Sequence, residues 1–241
     1  MGNALFITGT GTDIGKTIVT SFLYKVLSKN GLKVKVFKPI QSGFDEEKQS
    51  YPDSYWFQKS IGDDQTGMYF FKPAVSPHLA EKITGQKANI ENIKQKLNEL
   101  KEQYDIVLVE GAGGLAVPLQ ERENEVYMTK DFIKDLQIPI VLVSLCGLGS
   151  IHHAVTTVQY AMNEGLKIKG IVFNQFDDQN FLHNDNVSMI QKLTELPVLA
   201  KLPYFKKVLP DLDEWISKHT FNDVLAKLND KKVNEVNIKT I

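Results

Sequence analysis

The run Gly9-Thr10-Gly11-Thr12-Asp13-Ile14-Gly15-Lys16-Thr17 follows the apolar Ala4-Leu5-Phe6-Ile7 and leads into a helix-like segment from Ile18. A glycine-rich loop ending in Gly-Lys-Thr, set between a strand and a helix, is a phosphate-binding loop. Its backbone N–H groups and the positive end of the helix cradle phosphate oxygens, a lysine reaches the outer phosphates, and a hydroxyl faces Mg²⁺. The common form of this loop has a glycine where this chain has Thr10, so the loop is a variant with glycines on either side of that position.

A second segment supports the same chemistry. Asp105-Ile106-Val107-Leu108-Val109-Glu110 reads as a short buried strand ending in an acid, followed by Gly111-Ala112-Gly113-Gly114. In a parallel sheet such a strand end lies beside the phosphate loop, where Mg²⁺ requires carboxylate oxygens. Apolar runs at 4–8, 33–37, 106–109, 140–143, 168–173 and 198–200 alternate with helical periodicity at 17–29, 54–60, 90–103, 129–136, 150–163, 185–196 and 211–228. That order predicts an α/β fold of three layers, a mostly parallel central sheet with helices on both faces. Right-handed crossovers then bring the strand-to-helix loops at 9–16, 38–43, 110–118 and 147–150 to one edge.

The 241 residues suffice for one α/β domain with a full core, and no repeat or linker divides them; the polar stretch 229–241 receives no assignment. A net charge of -1 with dispersed lysines gives no footprint for nucleic acid. No long apolar run or basic leader appears, so a cytoplasmic protein without membrane association is expected. Arg122 is the only arginine, which leaves charge neutralisation at a phosphoryl group to lysines. The single cysteine, Cys146, is expected to be a packed thiol.

Lys38 is read as the end of the second strand, in Phe37-Lys38-Pro39-Ile40-Gln41-Ser42-Gly43, where it can meet an anionic ligand. Asp53, after Pro52, is either a helix N-cap or a second carboxylate for Mg²⁺ opposite Glu110.

These residues resemble the dethiobiotin synthase family. Four motifs occur in the family's order: Gly9 to Thr17, Lys38 to Gly43, Ser76-Pro77-His78 and Val109 to Gly114. The resemblance implies ATP- and Mg²⁺-dependent carboxylation and ring closure of 7,8-diaminononanoate with CO₂, giving dethiobiotin, ADP and phosphate in biotin biosynthesis. It implies that Lys16, Lys38 and Thr12 serve the reaction, and that Thr17, Asp53 and Glu110 hold Mg²⁺. Nucleotide contacts are implied for the loop from Asp13 through Ile14, Gly15, Lys16 and Thr17 to Ile18, for Asp53, and for Glu110 with Gly111, Ala112 and Gly113. The base is expected at Asn174 and Gln175, with Pro203, Tyr204 and Phe205 lining its pocket. Thr12 and Ser42 would touch substrate, and a homodimer would share each site, Gly149 and Ser150 of the partner binding the substrate's tail carboxylate.

Several positions depart from the family pattern: Gly11 where an acid is frequent, Asp13 for a glutamate, His152 for an asparagine and Ser188 for a tyrosine. Partition ATPases share the expected fold, but their loop carries a signature lysine where this chain has Gly11. Related amidoligases need a glutaminase region and a catalytic cysteine, which this chain lacks.

Overall fold

The computed structural model describes residues 3–229, so the expectation for the stretch 229–241 lies almost wholly outside it. The elements in chain order are β1 (Asn3–Gly9), α1 (Lys16–Lys29), β2 (Val34–Ser42), α2 (Pro52–Ile61), β3 (Gly67–Phe71), α3 (Pro77–Thr84), α4 (Ile90–Gln103) and β4 (Ile106–Glu110). There follow β5 (Pro118–Glu121), β6 (Val126–Met128), α5 (Thr129–Leu136), β7 (Ile140–Ser144), α6 (Ser150–Asn163), β8 (Ile168–Phe173), α7 (Phe181–Thr194), β9 (Val198–Lys201), α8 (Val208–Lys218) and α9 (Asn222–Asn229).

Seven strands form one parallel sheet in the order β3-β2-β4-β1-β7-β8-β9, and β5 and β6 make a separate antiparallel hairpin. The central strands are apolar on both sides, as a sheet covered on both faces requires. Their alternation sorts the core in two. Phe6, Val107, Val109 and Leu142 pack towards α4, α5, α6 and α7, whereas Leu5, Ile7, Leu108, Val141 and Val143 pack towards α1, α2, α8 and α9.

This alternation aims the site. In β4, Ile106 and Leu108 face α1, so the next residue in phase, Glu110, faces it too. In β2, Val34 and Val36 face the same way, and Lys38 is next in phase. Because Val36 pairs with Leu108 and Phe37 with Val109, continuing that register sets Lys38 opposite Glu110.

The expected alternation of strands and helices is present, with corrections in detail. Lys38 does not end its strand: β2 continues to Ser42 by pairing with β3, which the sequence reading omitted. Pro39 is tolerated there because the β4 partner has ended at that level, so no ladder N–H is needed. The reading also omitted α3 and the β5–β6 hairpin, which are too short to show a period. Helix α7 begins at Phe181, where Asn180 accepts a hydrogen bond from the Leu182 N–H as a cap, rather than at 185. The single helix expected at 211–228 is two, α8 and α9, separated at 219–221.

Candidate functional site

The loop between β1 and α1 turns into the helix at Gly15, whose φ of 86° is left-handed. A side chain at this position would also run into the Asn174 amide. Asn174, buried at the end of β8, donates from Nδ2 to the Ile14 carbonyl at 2.9 Å and so braces the loop from the neighbouring strand end. Asp13 is left-handed as well, a conformation that Asp accepts better than most residues. Lys16 is buried and its Nζ donates to the Gly11 carbonyl at 3.1 Å.

Beyond Lys16, four side chains from four elements meet. The Thr17 hydroxyl lies 2.9 Å from both Asp53 Oδ1 and Glu110 Oε1. Having one proton, it can donate to only one of them at a time. Lys38 Nζ lies 2.6 Å from Asp53 Oδ2 and 2.7 Å from Glu110 Oε1. The second Glu110 oxygen, Oε2, accepts from the Thr20 hydroxyl at 2.6 Å. Sequence reasoning missed Thr20, although its spacing from Lys16 and Thr17 puts it on the same helix face.

The electrostatics differ from group to group. Burial alone would lower the pKa of Lys38, but Glu110 and Asp53 outweigh burial and hold it well above the ordinary lysine range. Burial lowers that of Lys16, against the opposing pull of Glu110. For Asp53, burial pushes upwards and Lys38 pulls further downwards, so its carboxyl sits below the ordinary range. Lys38, Asp53 and Glu110 thus meet around the Thr17 hydroxyl, with the Thr20 hydroxyl on the far oxygen of Glu110.

The alternative left open for Asp53 can be judged on geometry. Tyr51 is the N-cap of α2, Asp53 lies in the first turn, and both its oxygens engage Thr17 and Lys38. A polar seam holds α2 on α1: Trp56 Nε1 donates to Ser21 Oγ at 2.8 Å, and Ser21 and Ser60 hydroxyls lie 3.0 Å apart.

Of the remaining expected residues, two groups border open clefts, while Gly111 and Ala112 line a small pocket beside Glu110 and Pro39. Thr12, Ile14, Asn174, Gln175 and Ser150 line a cleft of about 410 Å³ between the phosphate loop and the start of α6, together with Gly147 and Leu148. Gly149, left-handed at φ 86°, is the N-cap of α6, and the buried Ser150 hydroxyl has no hydrogen-bond partner among the described residues. Neither Lys38 nor Ser42 lines that cleft. Pro203 and Tyr204 border a separate depression of about 550 Å³ with Phe176 and Trp215. Tyr204 is exposed, whereas Phe205 is buried against Trp215 and does not border that depression. A cavity of about 870 Å³ lies at the opposite end of the strands, and none of the expected site residues borders it.

Other candidates are accounted for structurally. Arg122 pairs with Glu125 at 2.8 Å and stacks 4.2 Å over Tyr127, tied to the β5–β6 hairpin. His78 Nδ1 lies 3.0 Å from the Ser76 hydroxyl at the start of α3. Cys146 is buried, and burial pushes its thiol up to about 11, as a packed thiol requires.

An AAA domain family matches residues 3–211. A protein of Geobacillus sp. (strain WCH70) named ATP-dependent dethiobiotin synthetase BioD is 53% identical over 209 residues, covering 86% of this chain and 87% of the relative. One of the same name from Geobacillus kaustophilus is 47% identical over 228 residues, covering 94% and 96%. Among solved structures, a ParA family ATPase from Chlorobium tepidum superposes with a TM-score of 0.56 at 14% identity, covering 95% of this chain and all of that one. The septum site-determining protein MinD of Pyrococcus horikoshii, complexed with Mg-ADP, gives 0.56 at 17% identity, covering 95% and 94%. Likeness at such identity shows the fold alone, which is the three-layer α/β fold expected from the sequence.

Proposed function

The chain belongs to the family of ATP-dependent dethiobiotin synthetases, and from that membership we propose that it joins CO₂ to 7,8-diaminononanoate and closes the ureido ring of dethiobiotin, cleaving ATP to ADP and phosphate. The observation that supports this most is the ammonium of Lys38, fixed between Asp53 and Glu110 beside Thr17 and the phosphate loop. In this reading one amine of the substrate takes up CO₂ as a carbamate. A carbamate oxygen attacks the γ-phosphorus as ADP leaves. The second amine then attacks the carbamoyl carbon, and phosphate departs with that oxygen.

No protein nucleophile enters this sequence, so the residues act by position and charge. Lys16 and the loop N–H groups would bind the nucleotide's outer phosphates. Lys38, kept protonated by its two carboxylate partners, would stabilise negative charge shared between carbamate and phosphoryl oxygens. Thr12 and Ser42 would contact the substrate, and the Asn174 carbonyl oxygen and remaining amide hydrogen would meet the adenine edge. Two carboxylates and a hydroxyl are hard oxygen donors of the kind Mg²⁺ takes alongside phosphate oxygens, so Thr17, Asp53 and Glu110 fit as its protein ligands. Mg²⁺ bound there would neutralise phosphate charge.

The site is shared across a homodimer in this proposal. Leu182, Met189 and Leu193 recur on α7 at spacings of seven and four and are exposed, as are Phe181 at the α7 start and Leu148 just before α6. Within one subunit Thr12 borders the cleft that Ser150 lines but Ser42 and Lys38 stand outside it, and that separation of Lys38 from Ser150 supports a partner's α6 start as the receptor of the substrate carboxylate. Cytoplasmic location belongs to the same proposal, and no described helix is long and apolar enough to cross a membrane.

Incubation of purified protein with ATP, Mg²⁺, 7,8-diaminononanoate and ¹³C-bicarbonate tests the reaction. Mass spectrometry should show dethiobiotin carrying one labelled carbon. Absence of the product, with ATP consumed regardless of the diamine, would reject it. For the shared site, mixing Lys38→Ala protein with Ser150→Trp protein should restore activity at about half of the sites of each mixed dimer. No recovery despite subunit exchange would place both groups in one subunit's pocket.

A further inference from the structure

We infer that Thr20 is a positioning residue whose hydroxyl sets the orientation of the Glu110 carboxylate and so the strength with which the site holds its divalent cation. The inference rests on the reading of Glu110 as a metal ligand. Glu110 is fully enclosed, and its two oxygens have different partners: Oε1 faces Lys38 at 2.7 Å and Thr17 at 2.9 Å, and Oε2 has Thr20, at 2.6 Å, as its one hydrogen-bond partner among the described residues.

The Thr20 hydroxyl also lies 2.9 Å from the Lys16 carbonyl, so two acceptors compete for one proton. The carboxylate wins on both length and charge, since a charge-assisted O–H···O⁻ bond has this shorter distance and about twice the strength of a neutral one. The Lys16 carbonyl already accepts from the helix backbone four residues on, so it loses little. With Oε2 pinned, the carboxylate plane is fixed and Oε1 is the oxygen presented to Thr17 and Lys38. Without that donor Oε2 would be buried and unpaired, and the group would turn to share Lys38 or Thr17 between both oxygens.

Helix geometry gives the device its rigidity. Lys16, Thr17 and Thr20 share one face over the first turn of α1, so the helix that binds phosphate also aims the carboxylate on the adjacent strand. Thr20 is itself completely buried and does not line the α6 cleft.

The test compares Thr20→Val, which keeps the shape and removes the hydroxyl, with Thr20→Ser, which keeps the hydroxyl and removes the methyl. Mn²⁺ is the probe, and its binding to the protein·ADP complex is read by electron paramagnetic resonance, with ADP affinity measured separately in chelator. Thr20→Val should weaken Mn²⁺ binding by about ten- to a hundredfold with metal-free ADP affinity unchanged, and Thr20→Ser should stay close to the parent. Thr20→Ala carries the same expectation as Thr20→Val should the latter not fold. Unchanged Mn²⁺ binding in Thr20→Val, or equal weakening in Thr20→Ser, would overturn the inference, provided Glu110→Gln weakens Mn²⁺ binding in the same assay. Unaffected binding in Glu110→Gln would instead reject the metal reading on which the inference stands.

Discussion

Glu110 and Asp53 reach the same lysine and the same threonine from opposite sides, and the protein holds them in different ways. Glu110 ends a central strand, has no exposed side-chain surface, and has donors on both oxygens. Asp53 sits in the first turn of a helix near the sheet edge, with 32% of its side chain exposed. Its place depends on how α2 rests on α1, through the Trp56, Ser21 and Ser60 seam. The strand-borne carboxylate is therefore preorganised by the core, whereas the helix-borne one can follow small movements of α2. A site that must admit and release a nucleotide can use one fixed and one adjustable ligand.

The largest effect should come from removing the cation both share. Lys38→Met should cut turnover by at least about 10² to 10³-fold and destabilise the fold by about 3–5 kcal/mol, because Glu110 is left buried without its ammonium. Adding Glu110→Gln to that variant should recover most of the lost stability in urea titrations, and adding Asp53→Asn should recover little. Equal recovery by both would break the distinction between a buried and a solvated carboxylate.

Next in size is the metal requirement. Glu110→Gln should raise the Mg²⁺ concentration for half-maximal turnover by about tenfold or more, and Asp53→Asn by less, since exposure lets water replace the lost oxygen. A larger shift in Asp53→Asn would reverse the ranking.

The pH dependence of stability separates Asp53 further. Its pKa is lowered in the fold, so its contribution is present above the ordinary carboxylate value near about pH 4 and is lost as pH falls through the folded value. The stability difference between the parent and Asp53→Asn should shrink on acidification through that window in urea unfolding series. A difference independent of pH would show that Asp53 contributes through packing of the α2 start alone.

The smallest effect is expected at the loop brace. Asn174→Ala should weaken ATP binding by about 1 kcal/mol or more, by freeing the Ile14 carbonyl and removing the proposed contact with the adenine edge, with the two carboxylates undisturbed. Calorimetric titration with ATP checks this, and loss of metal binding in the same variant would show that the brace and the carboxylates are coupled.

The two carboxylates also differ in how far the sequence reveals them. Glu110 is legible because a short, uninterrupted apolar strand pattern ends on it and a glycine run follows, which sets an acid at the phosphate-loop edge of the sheet; the way it faces comes from the structure. Asp53 is legible only through family resemblance, since local pattern leaves a helix cap equally open and the geometry that removes the cap is tertiary. Strand β3 escaped because Gly67-Met-Tyr-Phe-Phe71 has no alternation and forms by pairing with an extended β2. That extension is what moves Lys38 from a strand end into the strand. Thr20 was detectable in principle from helical spacing, but only the strand register identifies Glu110 as its partner.

The central claim is that this cluster couples ATP cleavage to ring closure of a diamine, and ADP release measured with bicarbonate and Mg²⁺, with and without 7,8-diaminononanoate, tests it most directly. The account predicts ADP release that depends on the diamine, matches dethiobiotin formed one for one, and disappears in Lys38→Ala while nucleotide binding persists. ADP release at the same rate without the diamine, or undiminished in Lys38→Ala, would contradict it.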